Sequence, residues 1–105
     1  MSNMNEEQFN IERIELVGLS ENRLAVVVNV FLGGNAFVTG HLWRSAFGNE
    51  NRFCVTGVSC YVRQNRLVGN YEQLCNEVAN SEFAREVLSA FQQQISLALS
   101  SFTVE

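Results

Sequence analysis

A chain of 105 residues has room for one domain with one core, and 47% hydrophobic against 17% charged residues supplies enough apolar surface to exclude global disorder. A formal net charge of −4 opposes long-range attraction to nucleic acid. The longest apolar run, Leu24 to Leu32, is interrupted by Asn29 and falls short of the roughly 18 residues of a membrane span, so no membrane role is expected.

Residues 1–8 read as a flexible N-terminus and residues 9–102 as a single α+β domain. Met1 to Asn10 carries Glu6 and Glu7 without a basic residue, unlike a secretory signal, so cytoplasmic residence is the expectation. From Phe9 to Leu19, Ile14 and Leu16 alternate with Arg13 and Glu15 as in a half-buried strand. Ser20-Glu21-Asn22 then turns the chain. Arg23 to Leu32 carries Leu24, Val26, Val28, Val30 and Leu32 on one face and Ala25, Val27, Asn29 and Phe31 on the other. Two largely apolar faces predict a central strand.

Gly33-Gly34-Asn35 tolerates positive φ and predicts a hairpin into a strand from Ala36 to Ala46. Gly48 to Asn51 marks the next turn. Arg52 to Arg63 reads as another strand, its alternation slipping near Gly57 as at a bulge. Gln64-Asn65 turns again, toward a short edge strand at Arg66 to Val68. Asn70, with Gln73 three residues on, is placed as a helix N-cap. Val87, Leu88, Phe91, Ile95, Ala98, Leu99 and Phe102 recur at three- and four-residue spacing, a stripe that needs a dry partner surface. The expected architecture is an antiparallel β-meander of four to five strands packed with a long C-terminal helix.

Chemistry is sparse. His41 is the sole histidine, and Cys54, Cys60 and Cys75 form no CxxC pair, so neither a metal site nor a disulfide framework is expected, and no cofactor motif is present. The cysteines are expected to be reduced, packed thiols. A Cys–His pair of His41 with Cys54 or Cys60 on neighbouring strands is the one catalytic alternative, and a non-enzyme is the reading preferred. Every cation is Arg and every carboxylate side chain is Glu; there is no Lys, Asp or Pro.

Charge is unevenly distributed. Residues 1–21 and residues 70–105 each hold five Glu against one Arg, whereas residues 41–69 hold Arg44, Arg52, Arg63 and Arg66 against Glu50 alone. His41, Trp43, Phe53 and Tyr61 are interleaved there. Arginine neutralises phosphate and aromatic rings stack on bases, so Arg44, Arg52, Arg63, Arg66, His41 and Trp43 are the candidate contacts to nucleic acid or another partner.

The order Ile11 to Leu16, Arg23 to Val30 and Ala36 to His41, with Asn80 to Arg85 opening a terminal helix, resembles the SpoVG septation-regulator family over residues 9–95. The resemblance implies a small antiparallel sheet with a C-terminal helix, dimerisation and sequence-selective nucleic-acid binding in a bacterial regulator. The chain departs from that family in having no lysine, an acidic helix, and Val55-Thr56-Gly57-Val58 in place of a proline-containing segment. No individual binding residue is carried over. The reading preferred is a non-enzymatic regulatory protein, a homodimer that binds a macromolecular partner. The alternatives are a SpoVG-like nucleic-acid-binding regulator and a small acidic phage-type inhibitor of a host protein.

Overall fold

The computed structural model describes residues 11–45, 50–59, 62 and 64–103. Strands β1 (Arg13–Leu19), β2 (Val26–Phe31), β3 (Phe37–Arg44) and β4 (Asn51–Val58) form one antiparallel sheet in the order β1-β2-β3-β4. Helices α1 (Gln64–Ala79), α2 (Glu82–Ala90) and α3 (Gln92–Thr103) follow. The fold is an α+β meander, because each strand turns back on its chain neighbour through a short, locally bonded connection.

Those connections are chemically specified. Ser20 is buried with its hydroxyl donating to Asn22 Oδ1 at 2.7 Å and accepting from Ala25 N–H at 3.1 Å, which closes the β1–β2 turn. Gly33 and Gly34 take φ of 104° and 58°, values that cost an L side chain about 1 kcal/mol or more, and Leu32 N–H donates to Ala36 O at 2.9 Å across them. The expected bulge is present where β3 meets β4: Thr39 pairs with Gly57 but Gly40 with Val55, leaving Thr56 as the extra residue.

Val26, Val28 and Val30 are fully buried on one face of β2, which lies between β1 and β3 as its two-sided apolar pattern predicts. They join Val38, Leu42 and Phe53 of the sheet, Leu74 and Val78 of α1, and Ala84 and Leu88 of α2 in one core. Only this face of the sheet belongs to the core.

The C-terminal half departs from the sequence reading. Arg66 to Val68 is helix, not an edge strand, and Asn70 lies inside α1 rather than capping it. Gln64, Arg66 and Leu67 are good helix formers, and a longer α1 brings Leu74 and Val78, one turn apart, to the sheet. The single long helix is three. Ser81 ends α1 and caps α2: at ψ 156° its hydroxyl accepts from Ala84 N–H and donates to Val78 O at 2.7 Å. Between α2 and α3 only Phe91 leaves helical geometry (φ −102°, ψ 10°), and the bonds from Phe91 N–H to Val87 O and Ile95 N–H to Phe91 O run through it. The apolar stripe is buried unevenly. Leu88 lies in the core and Val87, Phe91 and Ile95 pack against it, but Leu99 is 48% exposed. β4 ends at Val58, short of the expected Arg63, and β1 starts at Arg13; residues 1–10, with the expected strand start at Phe9, are outside the described residues.

Candidate functional site

Strand alternation sends neighbouring residues to opposite faces, so the core face fixes what the other face carries. With Val28, Val30, Val38, Leu42 and Phe53 in the core, the opposite face presents Val27, Asn29 and Phe31 from β2, Phe37, Thr39, His41 and Trp43 from β3, and Arg52 and Cys54 from β4. The residues of β2 and β3 on it are half-buried. None of Val27, Phe31, Phe37 or Trp43 packs against the core cluster.

The pairs on this face follow the register. Phe31 lies opposite Phe37 with ring centroids 5.3 Å apart, and the Arg13 guanidinium sits 4.0 Å above the Phe31 ring. Asn29 accepts a 2.6 Å bond from the Thr39 hydroxyl. His41 lies opposite Cys54, and Trp43 opposite Arg52. The Phe31–Phe37 pair and Trp43 thus flank a polar middle. Phe31 and Phe37 stand equidistant from Gly34, so their pairing could have been found by folding the sequence about its glycine turn; the notice of Arg13 required the β1 register as well.

The face is aromatic rather than basic. Arg13 Nε donates to Glu15 at 2.8 Å with Glu12 at 3.8 Å, and Arg52 lies 3.5 Å from Glu50. Within the expected basic segment, Arg44 and Arg52 fall on opposite faces of the sheet. Arg44 shares the parity of Leu42, not of Trp43, and borders a groove with Ser45, Leu88, Ile95 and Leu99 at the α2–α3 side. Arg66 belongs to α1, and Arg63 lies outside the described residues, as do Tyr61 and Cys60. Even spacing along a hairpin puts Arg44 and Arg52 on opposite faces, which local charge counting cannot register. Of the candidates whose side chains are described, His41, Trp43 and Arg52 share a surface and Arg44 lies on the other face.

At the β4 edge the Cys54 thiol lies 3.9 Å from the Tyr71 hydroxyl of α1. Burial, then the bond to Cys54, pushes the Tyr71 phenol up to about 12, and burial pushes the Cys75 thiol above its ordinary value. Burial of this kind disfavours the Cys75 thiolate. Cys54 is exposed rather than packed, a correction to the sequence reading. Among the described residues no group of three or more metal-ligating side chains comes together, and no helix is long and apolar enough to cross a membrane.

Compared with protein-family models, curated proteins and solved structures, the chain matches none.

Proposed function

We propose that this chain is a non-enzymatic regulatory interaction protein, a homodimer that presents the aromatic face of its sheet to a protein partner. The observation that supports this reading is a sheet face bearing Phe31, Phe37, His41 and Trp43, outside the core cluster, whose two arginines already have glutamate partners. An aromatic surface with balanced charge favours an apolar protein patch, since aromatic residues anchor protein interfaces. A polyanion would have to displace Glu15 and Glu50 first, and would gain few released counterions.

Trp43 is the only tryptophan and stands on this face, so its fluorescence reports occupancy directly. The test is capture from host extract, with and without nuclease, by the wild type and by a Phe37→Ser/Trp43→Ala variant shown to be folded by circular dichroism. A nuclease-resistant protein partner lost with the variant supports the reading. Oligonucleotide binding at low salt that quenches Trp43 and weakens steeply with added salt would replace it with nucleic-acid recognition.

A further inference from the structure

Among the described residues no hydrogen bond reaches the outer edge of β1, and the chemistry of that edge is self-complementary. Backbone directions follow from the ladder. Because Leu32 N–H donates to Ala36 O, even-numbered residues of β2 bond toward β3, and odd-numbered Asn29 and Phe31 bond toward β1. Their partners are Glu15 and Arg13, and Glu12 N–H also donates to Phe31 O. Ile14 and Leu16 therefore turn their N–H and C=O groups outward. The outward stretch is bounded by Glu12 on one side and by the register shift after Leu16 on the other.

We infer that two copies of the chain pair antiparallel through this edge, β1 against β1, with Ile14 on the two-fold axis. Ile14 then exchanges both of its backbone bonds with the second copy's Ile14. Each Arg13 stands directly opposite the second copy's Glu15, on the aromatic side of the sheet. A register centred on Glu15 opposes two carboxylates, and one centred on Arg13 opposes two guanidinium groups, so like charge disfavours both. The charge order Arg-Ile-Glu thus selects one register of the three.

One further feature agrees with a paired edge: Leu16 and Val17 on this strand are 44% and 58% exposed in the single copy. The product is one continuous eight-stranded sheet that carries both aromatic faces on the same side, so a dimer offers a partner two adjoining platforms. A ladder this short belongs to the weak end of specific interfaces and dissociates on dilution.

The inference rests on the dimer reading above and names its interface, and the experiment separates the two. Sedimentation equilibrium of the full chain should show a concentration-dependent dimer. Arg13→Glu and Glu15→Arg each place like charges opposite one another twice, and each should weaken association roughly tenfold. The double variant inverts both pairs without losing them and should restore it. Their intrachain contacts are exposed and of little worth to folding, which circular dichroism checks. In hydrogen exchange, the Ile14 amide should be protected only at concentrations where the dimer forms. A monomer mass at about 100 µM overturns both the interface and the dimer reading. A dimer indifferent to the single reversals, or a double variant no better than either, overturns the β1 interface and leaves the dimer to another surface.

Discussion

Gly40 is where the sheet has least room, and adding one methyl group there tests the packing of the whole β3–β4 pair. A Cβ built on Gly40 would lie 2.5 Å from the Cys54 carbonyl oxygen and 2.5 Å from Phe53 Cζ, with Phe53 Cε1 at 2.6 Å. The ring can rotate away only into the core it fills, and the carbonyl belongs to the ladder, so neither contact yields cheaply. Overpacking of this kind costs about 1–3 kcal/mol, and two obstructions place Gly40→Ala near the upper end. For a domain of this size that lowers the melting temperature by roughly 12–20 °C. Gly57, across the same strand pair, is the control: a Cβ there meets nothing within 4 Å, so Gly57→Ala should be close to neutral. Adding Phe53→Leu to Gly40→Ala should recover only part of the loss, since the carbonyl contact remains. Urea and thermal unfolding followed by circular dichroism give the comparison. Equal stability of the Gly40→Ala and Gly57→Ala variants would refute the assignment of Gly40 to the space under the Phe53 ring.

Leu88→Ala should destabilise by about 3 kcal/mol, because Leu88 lies in the core, whereas Leu99→Ala should cost less than about 0.5 kcal/mol at a 48% exposed position; urea unfolding ranks the two. Ser81→Ala removes both the α2 cap and the bond to Val78 O and should cost about 1 kcal/mol in the same assay. For Tyr71 and Cys75 the folded state holds the proton more tightly than the unfolded chain, whose ordinary values are 10.0 and 9.0. Stability should therefore be insensitive to these two groups below pH 9 and should fall as pH rises from 9 toward 12. Tyr71→Phe should remove the part of that fall above pH 10, and ultraviolet titration of the phenol should lose its component near 12.

The division between what was legible in the sequence and what was not follows the range of the interactions. The meander was readable because its determinants are local: period-two alternation through Val26, Val28 and Val30, two glycines at positive φ, and a slip at Gly57 that the structure realises as an extra Thr56. Ser81 carries an equally local signal, since its hydroxyl closes a bond three residues away, and a search for caps within the C-terminal half would have divided the helix there. Arg66 to Val68 failed for the opposite reason. Three residues can satisfy either pattern, and helix is favoured because Leu74 and Val78 dock on a sheet distant in sequence.

The candidate site shows the same limit with a functional consequence. Four arginines within residues 41–69 look like one basic patch when charge is summed along the chain, but a sheet sorts side chains by parity before it sorts them by sequence. Arg52 falls beside Trp43, and Arg44 falls on the face of Leu42 beside α2 and α3. Arg13, from the acidic N-terminal segment, joins the aromatic face instead, 4.0 Å above Phe31. What survives the sorting is a surface bearing Phe31, Phe37 and Trp43 whose arginines have carboxylate partners at hand. That is why the partner proposed for this face is a protein rather than a polyanion, and why charge becomes informative at the edge of β1. There Arg13 and Glu15 flank an outward-facing Ile14, so the same two side chains that neutralise the face also define how a second copy would align beside it.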